Sequence, residues 1–522
     1  MRYSKFGNVT NVLHVCVVDA LTAGNGNRRF TRDFIGAGPS TVATLLGYIN
    51  QGQISCTIRR AEDILRDESS NLANFEYLFI SAMSMDKVAC HKVIRKWNQV
   101  HSPTSIVVGG PICCEEGIRE QLGVQLALKG EIEAHLVEIG ALFSEQEDIR
   151  FAPPPNFADF RLDTSFIGHY SDYMQARVYV ECVRGCSNYR RPKFGSDCPP
   201  DCNQCDDPLA AQEDTCPRGV PPGCGYCGTH AMFGPPKSRS VPAIKNDIQE
   251  MVDLGVTRIV LGGPDLLDFQ RERLVSSQTL TTPRAPPVVN LSALSDLIGQ
   301  VAAIAAVTER QVQVFYENLK ANLCSEAVFQ VLRQIPDPIF SIGVETGDPD
   351  HARLLGRPDT PEESLRAIKL AKDLGFRVHA YFIHSLPGET PNTARNTLEL
   401  MRQLGVLGVD KITLYKFRPL PGTYFEDYHP SKQHEKTMRH WNEKIKKFAI
   451  HYNQEQKQTY VGQIIEIDIV ERHKFRQDAA IGRLPSGGPA VEVERAAQFV
   501  GQRKRVEITG VASDRLLRGR IV

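Results

Sequence analysis

Excess charge of either sign and long apolar runs are absent from this sequence of 522 residues. Lys and Arg number 61, and Asp and Glu also number 61. No overall basic field is therefore available to hold nucleic acid or an anionic membrane by charge alone. The most apolar stretches, such as 12–21 and 298–307, fall well short of the roughly 20 residues that a membrane span needs. No apolar core of a secretory signal precedes a cleavage site, so we expect a soluble, cytoplasmic protein with no membrane partner.

The first 150 residues alternate apolar strands with helices. Continuous apolar strands separated by helices indicate an α/β, doubly wound (Rossmann-like) parallel sheet whose ligand site lies beyond the carboxyl ends of the strands. The polar and glycine residues that follow these strands are the candidate ligand contacts: Ser81, Ser84, Gly109, Gly110, Gly130 and Glu131. Glycine pairs after strands are also ordinary turn chemistry, and that alternative stays open.

Two further domains follow a proline-marked linker at 151–175. Six βα units between 176 and 455 predict a partial or full (β/α) barrel, with its chemistry at the carboxyl ends of the strands. From 456 to 522 the pattern changes to short alternating strands punctuated by glycine, which predicts a small β-barrel.

Cysteine is concentrated in one loop. Of the 14 cysteines, eight lie between Cys182 and Cys227, and such clustering favours metal over disulfides. Three thiolates at the end of a barrel strand, Cys186, Cys224 and Cys227, can hold three irons of a 4Fe–4S cluster and leave the fourth iron open to a ligand.

The residues on both sides of these three cysteines resemble the radical S-adenosylmethionine (SAM) superfamily. Its members commonly read Glu-x-x-Arg-Gly-Cys-x3-Cys-x-aromatic-Cys, and this chain matches both ends but stretches the spacer. The resemblance assigns the cluster to Cys186, Cys224 and Cys227. It also implies that the backbone of Gly262-Gly263 meets the methionyl amine of SAM and that Glu345 lies near its ribose. Pro264 replaces the acidic residue that usually follows the two glycines.

The stretched spacer forms a cysteine-rich insert, 187–223, with a rival assignment inside it. Its run of Cys198, Cys202 and Cys205 has the usual C-x3-C-x2-C spacing, but no strand precedes it and no helix follows it. Together with Cys216 these thiols predict a second site for zinc or iron that would fold a loop lacking a core. The alternative is a set of unligated thiols.

The flanking domains carry resemblances of their own. Val-Val-Gly109-Gly110 and Gly130-Glu131-x-Glu resemble segments of the cobalamin-binding radical SAM class, although its cobalt-binding Asp-x-His-x-x-Gly motif is absent. The resemblance implies cobalamin bound without a protein histidine below the cobalt; a degenerate domain that binds nothing is the alternative. The C-terminal segment resembles a TRAM (OB-like) domain and so implies RNA binding through its arginines, unless they form a solvated basic face.

Together these resemblances imply a cobalamin-dependent radical SAM C-methyltransferase that also needs an electron donor. Its chemistry requires no acid–base dyad, so no catalytic side chain is predicted. The architecture also resembles methanogen proteins that modify methyl-coenzyme M reductase, which implies a protein substrate and, more narrowly, a glutamine of that enzyme. The alternatives are an RNA-modifying, methylthiotransferase-like enzyme that uses the TRAM domain and a non-catalytic RNA-binding scaffold.

Overall fold

The computed structural model describes residues 12–26, 32–49, 54–67, 71–143, 156–193, 216, 218–275 and 288–522. The chain forms two compact units: residues 1–28 with 36–171, and residues 29–35 with 172–522. Within the described ranges, no helix has the length and apolar character needed to cross a lipid bilayer.

The first part of the chain alternates strands with helices as predicted. In chain order its elements are β1 (Leu13–Asp19), β2 (Phe34–Ile35), α1 (Ala37–Ile49), β3 (Ile54–Arg60), α2 (Ala61–Arg66), β4 (Tyr77–Ser81), α3 (Lys87–Trp97), β5 (Ile106–Gly109), α4 (Ile118–Leu122), β6 (Leu126–Leu128) and α5 (Leu136–Phe143).

The first unit is a doubly wound α/β domain. Its parallel sheet has the order β3-β1-β4-β5-β6, so the chain reverses direction across the sheet between β1 and β4. Ligands of such sheets bind beyond the carboxyl ends of the strands at this switch point. Buried apolar residues such as Val18, Ile80 and Val108 fill the sheet, which explains the continuous apolar runs in the sequence.

The second unit contains the elements of a radical-SAM-like half-barrel. They are β7 (Arg177–Glu181), β8 (Val183–Arg184), α6 (Thr229–Phe233), β9 (Lys237–Ser238), α7 (Val241–Asp253), β10 (Arg258–Gly262), α8 (Glu272–Val275), α9 (Leu291–Ala302), α10 (Ala305–Thr308), β11 (Gln313–Leu319), α11 (Glu326–Leu332), β12 (Ile339–Glu345), α12 (Pro349–Leu354), α13 (Pro361–Asp373), β13 (Arg377–His384), α14 (Pro391–Val406), β14 (Lys411–Lys416) and α15 (Lys432–Gln458).

The strands of this half-barrel form a parallel sheet in the order β14-β13-β12-β11-β10-β7-β2, which stays open. The predicted six βα units are confirmed, and the short β2, far away in sequence, adds a seventh strand beside β7. Along β13 every second residue is buried and those between are half-buried. The fully buried face therefore packs under the helices, while the other face is only partly buried.

The C-terminal segment is the predicted small barrel. Its strands β15 (Ile464–Arg472), β16 (Ala480–Arg483), β17 (Ala490–Glu494), β18 (Arg503–Val511) and β19 (Leu516–Ile521) close in the order β15-β16-β17-β19-β18. This barrel packs on the amino-terminal end of the half-barrel. A side chain at Gly487 would meet the Phe315 ring and Ile339 at 3.0–3.1 Å, and Arg377 donates hydrogen bonds to the carbonyls of Ser486 and Gly487.

Candidate active site

The cysteine loop begins where β7 ends. Beyond Glu181 the chain forms β8, which pairs antiparallel with β9, and this pairing closes the loop between them at its base. The amide of Cys186 donates a hydrogen bond to the carbonyl of Gly234 at 3.1 Å. The loop therefore starts and returns at the carboxyl end of the first long barrel strand, as its position in the sequence predicts.

Three thiols separated in sequence converge within this loop. The backbone N–H of Asn188 donates to Cys186 Sγ at 3.4 Å, and its Nδ2 donates to Cys224 Sγ at 3.4 Å. Burial raises the pKa of the Cys224 thiol to about 12, and the nearby Cys227 and Cys186 add to the rise. The structure thus places Cys186, Cys224 and Cys227 around one point.

Three thiols are a donor set that fits three irons of a 4Fe–4S cluster and leaves the fourth iron open. Two thiolates on one tetrahedral zinc lie about 3.8 Å apart, given Zn–S bonds of about 2.3 Å; in a 4Fe–4S cluster each cysteine binds a different iron, so the sulfurs stand further apart. Within the described ranges no group of three or more Cys, His, Asp or Glu side chains is spaced for one metal ion. The N–H donors of Asn188 suit thiolates that carry shared negative charge.

A buried cation stands beside the first cysteine. Lys320 Nζ lies 2.6 Å from Asp268 Oδ2 and 3.0 Å from Ser187 Oγ, and Asp268 also accepts the backbone N–H and the hydroxyl of Ser187. Burial raises the pKa of the neighbouring Cys186 to about 11, and the charge of Lys320 opposes that rise. The arrangement fixes the residue after Cys186 and provides positive charge where a thiolate would stand.

Arg357 joins the cysteine loop to strand β12. Its guanidinium donates to the Tyr226 hydroxyl at 2.7 Å, the Gly343 carbonyl at 2.6 Å and the Asp359 carboxylate at 2.9 Å, and it lies 3.8 Å from Glu345. Only 7% of its side chain is exposed. Since Tyr226 lies between two of the cysteines in sequence, one buried side chain spans from the loop to the end of β12.

The residues predicted to contact SAM lie at the carboxyl ends of two strands of the half-barrel, β10 and β12, which β11 separates. Gly262 ends β10 and Gly263 follows it, where a Cβ on Gly263 would stand 2.8 Å from the Val183 carbonyl. Glu345 ends β12 with φ of +65°. Burial raises the pKa of its carboxyl to about 7, and Arg357 opposes that rise. The backbone therefore aims Glu345 from a strained position of the kind found at functional sites.

Ser385, which follows the end of β13, also adopts a left-handed conformation. Its φ is +63°, a region that glycine enters without steric cost. Its N–H donates to the Glu389 carboxylate at 2.9 Å and its hydroxyl accepts from Asn442 Nδ2 at 3.1 Å. These two hydrogen bonds hold the serine in this backbone conformation.

In the first unit the predicted ligand contacts follow the adjacent strands β4, β5 and β6. Ser81 ends β4, and the amide of Ala82, next along the chain, donates to the carbonyl of Gly109 at the end of β5. Gly110 has φ of +94°, and a Cβ there would stand 2.6 Å from the Ala82 carbonyl oxygen. At Gly109, in contrast, an added Cβ meets no atom of the described residues within 4 Å, which leaves space at this position.

The remaining predicted contacts of the first unit lie beside this space. Ser84 begins the turn after β4, and Gly130-Glu131 follows β6 with φ of +93° at Gly130. The buried carboxylate of Asp86 accepts backbone N–H bonds from Thr22 and Gly24, so it ties the loop after β1 to the turn after β4. Asp86 thus ties together the loop and the turn on the two sides of the switch point. We call the residues at this edge that are predicted to contact cobalamin the rim.

Three described histidines of this unit are distant from the ligand edge or have partners for their rings. His14 lies near the amino end of β1, whereas the ligand edge is at the carboxyl end. His101 stacks on Trp97 and bonds the Leu72 carbonyl. Both ring nitrogens of His135 have partners, the Lys129 carbonyl and Glu138. A binding mode without a protein histidine therefore stays a prediction that these contacts favour.

The second metal site stays a prediction. Cys198, Cys202 and Cys205 lie outside the described residues, and Cys216 is half-buried.

Comparison with known proteins identifies the class of this architecture. Residues 214–401 match the radical SAM superfamily. The fold resembles the radical SAM methyltransferase TsrM from Kitasatospora setae, solved with cobalamin and a 4Fe–4S cluster, at a TM-score of 0.54 and 12% identity over 80% of this chain and 77% of that chain. It also resembles OxsB, a cobalamin-dependent SAM radical enzyme, at a TM-score of 0.52 and 14% identity over 84% and 56%. The chain contains a radical SAM domain and is an enzyme, for which the superfamily implies a 4Fe–4S cluster and SAM.

Within this class the chain belongs to a more specific family. It is 34% identical to the uncharacterized protein MJ1620 of Methanocaldococcus jannaschii over 97% of this chain and 98% of the relative. The likeness therefore includes both units and the C-terminal barrel.

Several residues of the site were not predicted from the sequence. Asn188 lies within the cysteine loop, and Lys320 and Arg357 contact the loop from two other segments; none of the three belongs to a motif of fixed spacing. One short helix separates Arg357 from β12, the strand that ends at Glu345. A search for polar residues soon after that strand could therefore have identified Arg357. For Lys320 no local signal exists.

Proposed function

We propose that the protein is a cobalamin-dependent radical SAM C-methyltransferase that acts on an unactivated carbon of a polypeptide side chain. The observation that carries the proposal is the combination within one chain of a three-thiol loop at the end of β7 and a doubly wound domain with open space at its switch-point edge. The alternative of a non-catalytic scaffold is set aside by the radical SAM domain.

In this proposal the bound groups supply the reducing electron, the radical and the methyl group, and the protein positions and shields them. Cys186, Cys224 and Cys227 hold the cluster, Asn188 orients two of the sulfurs, and Lys320 fixes the loop after Cys186. Glu345 and the Gly262-Gly263 backbone bind SAM. The rim at Ser81, Ser84, Gly109-Gly110 and Gly130-Glu131 holds cobalamin. A partner protein would donate the electron that the cluster needs.

A polypeptide substrate is favoured over RNA by the charges of the C-terminal barrel. Arg503 pairs with Asp468 at 2.7 Å, and Arg520 pairs with Glu507 at 2.7 Å. Cations already paired with carboxylates contribute less to phosphate binding. The narrower proposal is a glutamine of methyl-coenzyme M reductase, which follows from the resemblance stated above and makes that protein the first acceptor to assay.

Cobalamin binding is tested at Gly109. Because a Cβ added there meets no described atom within 4 Å, we expect Gly109→Leu to fold, with its melting temperature as the control, and to fill the space that we assign to the cofactor. We expect reconstituted Gly109→Leu to lose cobalamin at least about tenfold in affinity, measured by absorbance after gel filtration. A combined His14, His91, His101 and His135 to Ala variant should retain it. Stoichiometric cobalamin in Gly109→Leu would contradict the site.

The substrate class is tested with labelled SAM in cell extract. Deleting the C-terminal barrel, 459–522, would expose Phe315 and Ile339, which lie against Gly487. Whether the barrel binds an RNA substrate is therefore tested by charge reversal at the exposed Arg505 and Arg518. We expect label in protease-sensitive material and less than a twofold loss of turnover in Arg505→Glu/Arg518→Glu. An RNA substrate held by about six phosphate contacts would lose roughly 10³-fold in affinity between 50 and 200 mM salt. Label in RNA alone establishes the RNA-modifying alternative.

A further inference from the structure

Helices α14 and α15 leave a groove between them on the outside of the half-barrel. Its floor is apolar and consists of Leu398 from α14 and Trp441 and Phe448 from α15, and its volume is about 360 Å³. Residues 441, 444 and 448 lie on one face of α15 because they are spaced by three and four positions. We call this feature the α14/α15 groove.

Four cations form the rim of the α14/α15 groove: Arg395 and Arg402 from α14, and Lys444 and Lys447 from α15. Arg402 pairs with Glu399 at 3.2 Å. In the part of the chain that the structure describes, neither Lys444 nor Lys447 has an ion-pair partner. The two helices together carry nine Lys and Arg and four Glu, so the charge is locally positive in a chain whose total is balanced.

The groove lies near the carboxyl ends of the barrel strands. Asn442, next to Trp441, donates a hydrogen bond to Ser385 at the end of β13. Arg395 lies in the first turns of α14, which starts just after the same strand end. A partner held in the groove would thus be bound at the rim where the candidate active site lies.

We propose that the α14/α15 groove binds an acidic amphipathic segment of a partner protein. Such a segment inserts apolar side chains onto the floor and sets its carboxylates against the four cations, in the manner of a helix that docks in a groove. This inference concerns binding alone and stands without the proposed methyl transfer.

The geometry favours a polypeptide over RNA. Lys444 Nζ lies 4.9 Å from the centre of the Trp441 ring, and the Arg395 guanidinium carbon lies 5.7 Å from it. A nucleobase that stacks on Trp441 would have to displace these cations from the ring. A phosphate backbone would neutralise the rim but leave the floor uncovered.

The test uses the full-length enzyme and three fluorescein-labelled probes. One is a 14-residue peptide with Leu at helical i, i+3, i+4 and i+7 positions and Glu elsewhere; the second replaces each Glu by Lys; the third is a 12-nucleotide poly(U) RNA. We expect fluorescence anisotropy to show saturable binding of the acidic peptide only. Lys444→Glu/Lys447→Glu should weaken that binding about tenfold or more, while Lys432→Glu/Lys436→Glu, on the same helix but outside the groove lining, should change it less than twofold.

Occupancy is located by tryptophan emission. The chain has two tryptophans, and Trp97 is fully buried, so acrylamide reaches Trp441 first. We expect the acidic peptide to protect Trp441 from acrylamide quenching. The proposal is overturned if the lysine peptide binds equally well, if both charge-reversal pairs have the same effect, or if the acidic peptide does not bind. Tighter binding of poly(U) that depends on Lys444 and Lys447 would replace it with an RNA site.

Discussion

Replacing Cys186, Cys224 and Cys227 together by Ala is expected to abolish reductive SAM cleavage and the visible absorbance of the iron–sulfur cluster. The reason is that each cysteine binds a different iron, so no cluster with an open fourth iron survives without them. Anaerobic reconstitution followed by iron analysis and assay of 5′-deoxyadenosine measures both effects. We expect deoxyadenosine to fall to the level of the enzyme-free control.

The control for this prediction is drawn from the same stretch of chain. Cys182 is fully buried, precedes Cys186 by four residues and donates a weak hydrogen bond to the Val180 carbonyl, so Cys182→Ala should keep the cluster. The triple change at Cys198, Cys202 and Cys205 should likewise leave a SAM-binding cluster. If that triple variant loses SAM cleavage while the Cys186 set retains it, the cluster belongs to the insert.

Removing the guanidinium of Arg357 is expected to have the next largest effect. Arg357→Gln leaves the carboxylates of Glu345 and Asp359 buried without their cation, and breaking such a pair costs about 3–5 kcal/mol. It also frees Tyr226 from β12. We expect the SAM dissociation constant to rise and deoxyadenosine formation to fall about 100-fold or more, whereas Arg357→Lys, which keeps the charge but not the planar fork, should lose about tenfold.

Arg353 provides the matched control for Arg357. It lies four residues earlier, its side chain is 65% exposed, and among the described residues its ion pair is with the exposed Asp350. Exposed pairs contribute about 0–1 kcal/mol, so Arg353→Gln should keep SAM binding and turnover. Tyr226→Phe removes one hydrogen bond and should have an intermediate effect. Unchanged SAM affinity in a folded Arg357→Gln would show that Arg357 is structural.

Much of the architecture could be predicted from local sequence patterns. Apolar strands alternating with helices gave the doubly wound first domain and the six βα units, because periodicity depends on residues that are neighbours in sequence. The short, glycine-punctuated C-terminal strands gave the small barrel in the same way. The sequence did not predict that the half-barrel is open or that β2 pairs with β7. Pairing between strands far apart in the chain leaves no local sequence signal.

The same distinction between local and long-range information applies to the candidate site. The sequence alone determined which thiols stand at a strand end, which glycines end strands and that cobalt-binding histidine motifs are missing. Only the tertiary structure decided that Asn188 bonds both Cys186 and Cys224 across the long insert, and that Arg357 connects Tyr226 to Glu345. The physical reason is that these contacts are made by segments far apart in the chain, whose positions are fixed by the packing of the half-barrel and by the burial of unlike charges against each other.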